Sequence, residues 1–321
     1  MTGADDLPPA GNGSALRHAV DVEGIAMSAL LAEAPRPRAV VVALHGGAVT
    51  SRYFDAPNQP RLSLLRTGAA LGFTVLALDR PGYGSSAPYA AGMASVQRRV
   101  DLAYAAVDRL LEGRPRGAGV FVLGHSQGCV LAIQMAGDQR RADLLGLEIA
   151  GIGRHHHPRA AAVLQTRMRD RLGRARAGSG TAMRDMIWGP DHLYPAGAAA
   201  GMYSPTPGYE GDEVRRWPRE FPALAARVRV PVHCSLGDHE RVWRSGPAAL
   251  ADIAALFTAS PRVAVDEQAG GGHNLSLGLC ALAYHLKVLS FAEECVLALQ
   301  NALVNGDERA GAAAPIELAG G

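Results

Sequence analysis

The 321-residue sequence has only four cysteines, a single lysine and no long apolar run. The cysteines form no CxxC pair and are too sparse for a disulfide framework, so we expect buried thiols. No apolar stretch reaches the roughly 18 residues that a membrane-spanning helix needs. The first 14 residues lack the basic and apolar regions of a secretory signal. These absences predict a soluble, cytoplasmic protein that does not bind membranes.

The sequence also lacks an excess of either charge and lacks the common cofactor motifs. Lys and Arg number 32 against 30 Asp and Glu, for a formal net charge of +2. This balance does not favour nucleic acid as a partner. No G-x-G-x-x-G follows a predicted strand and no P-loop occurs, which predicts no nucleotide cofactor. The run His155-His156-His157 has no carboxylate or thiol beside it at ligand spacing, so we expect no metal site there.

What the sequence does contain is a regular alternation of short apolar runs with helical stretches. Apolar residues make up 48% of the chain and charged residues 19%, enough for a large core. The alternation is typical of an α/β fold, here a mostly parallel sheet of about eight strands with helices on both faces. Strands are predicted at 39–44, 74–78, 119–123, 145–150, 231–236 and 262–266, with two edge strands within 16–32. Helical spacing predicts helices at 94–111, 129–135 and 276–303.

One segment interrupts this alternation and is predicted to be a helical cap inserted over the sheet. It covers residues 153–222 and is rich in Arg, Gly and Pro. The core then consists of residues 15–152 and 223–305, with flexible tails at 1–14 and 306–321. Four aromatic residues of the cap are candidates for lining a substrate pocket, although for each one alone a role in holding the insertion together is favoured. They are Trp188, Tyr194, Tyr203 and Trp217.

The strongest motif is Gly124-His125-Ser126-Gln127-Gly128, directly between a predicted strand and a predicted helix. In this setting G-x-S-x-G is a nucleophile elbow, a sharp turn that lifts the serine hydroxyl out of the sheet. Small residues at both ends allow the turn to close without backbone collisions. The helix that begins at the serine points its positive end at the reacting centre. We therefore predict that Ser126 is a catalytic nucleophile.

A second motif, His45-Gly46-Gly47, ends the first long apolar strand. Glycines there free backbone amides to face a carbonyl oxygen. An amide at Gly47 or Ala48, with the amide of Gln127, is predicted to form an oxyanion hole. His45 is expected to be structural rather than catalytic, and is kept as a candidate for the pocket.

A third motif, residues 78–86 (LDRPGYGSS), completes a set that resembles the α/β-hydrolase superfamily. The three motifs occur in the superfamily's order, and the resemblance covers roughly residues 38–290. Asp79 and Arg80 are expected to pin the loop after their strand. The resemblance implies a catalytic triad in the order serine, acid, histidine.

The positions of two loops in the sequence predict which residues are the histidine and the acid of this triad. A serine hydroxyl needs an imidazole to take its proton, and His273 lies between the last predicted strand and the final helix, where the superfamily carries its base. The acid is expected in the turn 237–240. Family spacing favours Glu240, with Asp238 as the alternative, although aspartate is the usual residue.

Together these features predict a serine hydrolase that cleaves a carboxylic ester or thioester through an acyl-enzyme. GHSQG and an aromatic cap are similar to thioesterases and to cap-bearing esterases of secondary metabolism. The expected partner is a small-molecule acyl substrate, either free or attached to a carrier. Two alternatives stay open: non-hydrolytic lyase or cyclase chemistry in the same pocket, and a non-catalytic small-molecule binding protein. The sequence does not predict an oligomeric state.

Overall fold

The computed structural model describes residues 15–56, 59–138, 140–163 and 179–312. The predicted N-terminal tail, residues 164–178 of the predicted cap and the last nine residues of the chain lie outside the described residues. None of the described helices combines the length and the apolar character needed to cross a membrane.

Eight strands form one sheet, and the continuous apolar runs of its central strands are covered on both faces. They are β1 (Leu16–Val22), β2 (Ile25–Ala32), β3 (Val40–Leu44), β4 (Thr74–Leu78), β5 (Val120–His125), β6 (Leu144–Ala150), β7 (Val232–Gly237) and β8 (Val263–Gln268). Their order in the sheet is β1-β2-β4-β3-β5-β6-β7-β8. β2 pairs antiparallel with both β1 and β4, and the strands from β4 to β8 are parallel. The predicted fold class is therefore confirmed.

Helices lie on both faces of this sheet. They are α1 (Leu64–Ala70), α2 (Val96–Leu110), α3 (Gln127–Asp138), α4 (Ser179–Trp188), α5 (Glu210–Ala225), α6 (Pro247–Ala254) and α7 (Ala281–Ala312). Short 3₁₀ segments span Ser51–Phe54, Pro60–Leu62, Gly84–Met93, Asp191–Leu193 and Leu275–Leu277. Buried side chains of α2, α3, α5 and α6 form the core on one face, and those of α1 and α7 form the core on the other.

Two predicted segment boundaries differ from the helices observed. Helix α5 runs across the predicted end of the cap at residue 222 and ends at Ala225. Helix α7 continues to Ala312, so the predicted C-terminal tail from residue 306 is helical as far as that residue. Both helices continue through residues that commonly end a helix, Pro222 in α5 and Gly306 in α7.

The parallel strands bring four loops to one edge of the sheet. The carboxyl ends of parallel strands face the same way, so the loops that follow β3, β5, β7 and β8 converge. These loops carry, in order, residues 45–48, Ser126, Glu240 and His273. The sheet topology thus assembles residues that are up to about 230 positions apart in the chain.

Candidate active site

Ser126 lies in a strained turn that only its neighbours make possible. Its φ is +50°, in the left-handed region that non-glycine residues rarely adopt. The Ser126 amide donates to the carbonyl of Ala150 at 2.8 Å, which ties the turn to β6. A Cβ on Gly124 would lie 2.7 Å from Cys129 Cα, and one on Gly128 would lie 2.0 Å from the Leu44 carbonyl oxygen. Both positions therefore require glycine.

His273 connects the serine to a carboxylate. It lies in the loop after β8, and its Nε2 is 3.2 Å from Ser126 Oγ. Its Nδ1 is 3.0 Å from Glu240 Oε2 and 3.1 Å from Oε1. An Nδ1–H held by a carboxylate leaves the lone pair of Nε2 directed at the hydroxyl, which is the arrangement a general base needs.

Glu240 is a fully buried carboxylate with several donors around it. The amides of Val242 and Trp243 donate to Oε1 at 2.7 Å and 3.4 Å. Burial by itself raises the pKa of Glu240, but the charge and hydrogen bond of His273 and the two amides outweigh it, so the pKa lies below its usual value. The side chain is therefore ionised at neutral pH.

Asp238, the alternative acid, has a different set of partners. Its two carboxylate oxygens accept the amides of Gly270 and Gly271, each at 3.0 Å. The Asp238 carboxylate thus joins the turn after β7 to the loop that carries His273. Of the two candidate acids, it is Glu240 that contacts the imidazole.

The loop after β3 lies against the elbow. A Cβ on Gly46 would lie 3.3 Å from Ser126 Cβ, so the two backbones approach closely. The Ala48 amide donates to the Tyr83 hydroxyl at 3.1 Å. Of the two amides predicted for the oxyanion hole in this loop, only that of Gly47 has no hydrogen-bond acceptor among the described residues. The Gln127 amide is the first of α3 and has no acceptor within that helix.

His45 shapes this loop and does not line a pocket. The side chain is completely buried; its Nε2 accepts the Arg80 amide at 3.1 Å, and its Nδ1 donates to the Gly46 carbonyl at 2.8 Å. Burial, and then the charge of Arg80, lower the pKa of His45 well below its usual value, so the ring is neutral. Its candidacy as a pocket residue is corrected, because it has no surface to offer a substrate.

Three of the four cap aromatics form one group. The rings of Trp188 and Tyr194 are 5.4 Å apart and those of Trp188 and Tyr203 are 6.4 Å apart. The Tyr194 hydroxyl accepts the amide of Asn274 at 3.1 Å, so this group touches the loop of the candidate base.

Trp217, the fourth cap aromatic, belongs to the core. It is 1% exposed, stacks on Phe221 with ring centres 4.4 Å apart and donates its Nε1–H to the Gly153 carbonyl at 3.0 Å. Its predicted place in the pocket is therefore corrected: the indole attaches α5 to the sheet.

Two further residues touch the site and were not singled out in the sequence. His125 hydrogen-bonds the His273 carbonyl through Nε2 at 2.9 Å and stacks on Tyr53 at 4.4 Å. Glu210, on the cap helix α5, forms a buried ion pair with Arg80 at 2.6 Å. The signal for His125 was its place inside the elbow motif. Glu210 had no signal, because its partners are more than 100 residues away.

The consecutive histidines contact different neighbours. His155 lies 3.6 Å from Asp252, His156 stacks on Trp243, and the His157 amide donates to the Val242 carbonyl. Among the residues that the structure describes, no group of three or more His, Cys, Asp or Glu side chains is arranged to hold a metal ion.

Comparison with known proteins agrees with this fold. The sequence matches the alpha/beta hydrolase family over residues 41–281, about three quarters of its length, and the chain therefore belongs to that family. No curated protein matches the sequence at a significant level.

Solved structures with a similar fold include two esterases and a thioesterase, all at low identity. A carboxyl esterase from Bacillus coagulans is 18% identical with a TM-score of 0.58, covering 90% of this chain and 98% of its own. The esterase RhEst1 from a Rhodococcus species is 18% identical with a TM-score of 0.59, covering 87% and 98%. The thioesterase domain of the curacin biosynthetic pathway is 18% identical with a TM-score of 0.55, covering 86% and 99%. Identities this low establish the shared fold alone.

Proposed function

We propose that this protein is a serine hydrolase that cleaves a carboxylic ester or thioester, with Ser126 as nucleophile, His273 as general base and Glu240 as the acid. The observation that carries the proposal is the continuous contact from Ser126 Oγ through both nitrogens of His273 to a buried, ionised carboxylate. A serine at a strained turn with an imidazole at hydrogen-bond distance has little purpose in a passive site.

The chemistry follows from these positions. Ser126 Oγ attacks the acyl carbon while His273 Nε2 takes the hydroxyl proton, and Glu240 stabilises the imidazolium that forms. The amides of Gly47 and Gln127 hold the negative oxygen, each worth about 3 kcal/mol in a typical oxyanion hole. His273 then returns the proton to the leaving alcohol or thiol. Water, activated by the same imidazole, cleaves the acyl-enzyme.

The proposed substrate is a small acyl compound, either free or attached to a carrier. Trp188, Tyr194 and Tyr203 offer an apolar surface beside the loop of the proposed base, which suits an acyl chain. The structural neighbours include esterases and a thioesterase, which supports an alcohol and a thiol leaving group equally. A panel of short, long and aromatic acyl esters, run beside the matching acyl thioesters, identifies the preferred class.

Labelling with a fluorophosphonate probe tests the proposal directly, since the probe phosphonylates only an activated serine. We expect the wild-type protein to be labelled at Ser126, and the Ser126→Ala and His273→Ala variants to remain unlabelled. A folded wild-type protein that resists labelling would instead favour a binding protein. Labelling without turnover of any ester or thioester would favour lyase or cyclase chemistry.

A further inference from the structure

Two buried ion pairs join the cap helix α5 to the core. Glu210 pairs with Arg80 and Glu213 pairs with Arg99, and all four side chains are at most 6% exposed. Both carboxylates lie in the first turn of α5, where the helix dipole favours negative charge. As attachments of the cap, the two pairs are equivalent. A difference between them therefore has to come from what each arginine and each glutamate touches besides its partner.

The Glu213 pair faces a segment remote from the proposed triad. Arg99 donates to the carbonyls of Met93 and Ala94, just before α2, and its guanidinium lies 4.1 Å from the ring centre of Tyr209. No residue of the loop 45–48 or of the elbow is among these contacts. This pair serves to dock the cap.

The Glu210 pair instead contacts the loop that offers the Gly47 amide. Arg80 Nη2 donates to Glu210 at 2.6 Å and to the Gly46 carbonyl at 2.9 Å. Glu210 Oε2 lies 3.0 Å from the point where a Cβ on Gly47 would be. The hydroxyl that accepts the Ala48 amide belongs to Tyr83, which also interacts with the Glu210 carboxylate. Glu210 thus touches, directly or through one side chain, all three residues 46–48.

This loop needs such support because its backbone is strained. Ala48 has a φ of +60°, which an alanine adopts only when its surroundings enforce it. Within the loop, residues 46 and 47 are glycines without side chains, and the ring of His45 holds the Gly46 carbonyl and the Arg80 amide. The other contacts that hold the loop come from elsewhere: the Ser204 amide donates to the Ala48 carbonyl at 2.9 Å, and Arg80, Tyr83 and Glu210 contact residues 46–48.

We propose that Glu210 is a positioning residue for the oxyanion hole, and that through it the cap helix holds residues 46–48 in the conformation that presents the Gly47 amide to the reacting carbonyl. This proposal rests on the proposed serine hydrolase function. On this proposal the oxyanion hole stabilises the transition state only while the cap is docked. This role of the cap is separate from any part it plays in binding substrate.

An electrostatic role and a positioning role for the Glu210 carboxylate predict opposite changes in kcat when the carboxylate is removed. A negative charge near a developing oxyanion is unfavourable, so a purely electrostatic view predicts that Glu210→Gln raises kcat. A positioning role predicts a fall, because an oxyanion donor displaced by a fraction of an ångström loses most of its effect. The sign of the change in kcat therefore separates the two.

The experiment compares Glu210→Gln with Glu213→Gln, using p-nitrophenyl butyrate as substrate and a butyl trifluoromethyl ketone as a transition-state mimic. Each variant leaves one buried arginine without its carboxylate, so Glu213→Gln is a matched control for cap docking. We expect Glu210→Gln to lower kcat about 10- to 100-fold with KM changed less than about threefold, and the Ki of the ketone to rise by the factor by which kcat/KM falls. Glu213→Gln should keep kcat within about threefold.

Equal losses in both glutamine variants, or an unchanged or raised kcat in Glu210→Gln, would overturn the proposal. If Glu210→Gln does not fold, Tyr83→Phe tests the proposal instead. This variant removes the acceptor of the Ala48 amide and leaves both ion pairs in place. We expect it to lower kcat about fivefold or more, whereas Tyr209→Phe, which loses a bond to the Pro81 carbonyl, should not. Equal kcat in the two tyrosine variants also overturns the proposal. A wild-type protein unlabelled by fluorophosphonate refutes the hydrolase function itself, while a labelled wild type with a normal Glu210→Gln refutes only the role of Glu210.

Discussion

The elbow at Ser126 and the loop of residues 45–48 meet at one reaction centre but are held in different ways. Covalent neighbours hold the elbow: β5 enters it, α3 leaves it, and glycines 124 and 128 remove the atoms that would collide. Side chains from distant elements hold the loop, namely Arg80 and Tyr83 from after β4 and Glu210 from the cap. Both contain one strained non-glycine residue, Ser126 and Ala48.

The difference shows two ways of stabilising strain at a site. In the elbow the strain is set mainly by local sequence, with one further contact from the Ser126 amide to the Ala150 carbonyl of β6. In the loop the strain depends on the tertiary structure, so it is sensitive to changes far from the chemistry. Substitutions at the two places should therefore differ in size and in their dependence on the cap.

The largest effect on kcat is expected at Glu240, the proposed acid, which reaches the elbow through His273. Glu240→Gln keeps the shape of the side chain but allows the wrong imidazole tautomer, and we expect kcat to fall about 10³- to 10⁴-fold. Asp238→Asn weakens only the contact with the amides of Gly270 and Gly271, and we expect kcat to fall less than about tenfold. Steady-state kinetics with the best ester of the panel measures both. A greater loss in Asp238→Asn would reverse the assignment of the acid.

The next effect tests how rigid the elbow is. In Gly128→Ala the new Cβ would lie 2.0 Å from the Leu44 carbonyl oxygen, and neither backbone can move without shifting Ser126. We expect a fall in kcat on the order of 10³-fold and a loss of about 2 kcal/mol of stability. Chemical denaturation and kinetics on the same preparation measure the two. The control is Gly92→Ala, at an exposed glycine with no atom within 4 Å of its Cβ position, which should change neither.

A smaller effect on kcat is expected in the loop of residues 45–48, where a new methyl group would meet a side chain rather than the backbone. In Gly47→Ala the new methyl would lie 3.0 Å from Glu210 Oε2, the end of a side chain that can move by a few tenths of an ångström. We expect kcat to fall about 10- to 50-fold, with a melting temperature close to that of the wild type. A loss as large as that of Gly128→Ala would mean that the loop is as rigid as the elbow, and the contrast between them would not hold.

The contrast between local sequence and distant contacts also explains how much of the structure the sequence predicts. Six predicted strands lie within about two residues of their observed bounds, because continuous apolar runs bounded by turns carry a local signal. Ser126, Glu240 and His273 were predicted from their places at the ends of such strands, and the structure brings the three side chains together. The family resemblance provided the order of the proposed triad.

What the sequence did not reveal depends on contacts between distant segments. The Arg80–Glu210 pair joins residues 130 apart, and nothing near Glu210 marks it as different from Glu213 or Glu220. The burial of His45 and of Trp217 was missed for the same reason: a motif residue and a cap aromatic look like site residues until packing shows that they are covered. Local patterns indicate the elements, and tertiary contacts decide which side chains reach the site.

The smallest expected effect is on the pH dependence of the melting temperature. It distinguishes the contribution of the charge of Glu240 from that of its shape. The pKa of Glu240 is lowered on folding from its ordinary value of 4.5, so the ionised carboxylate stabilises the folded state above that pH. This contribution is lost as the pH falls through the lower folded-state pKa. Glu240→Gln resembles the protonated form at every pH. We therefore expect the wild type to melt a few degrees above the variant at pH 7, and the gap to close as the pH falls below 4.5. Calorimetry across this range measures the gap, and two parallel melting curves would show that the buried carboxylate contributes through packing rather than through its charge.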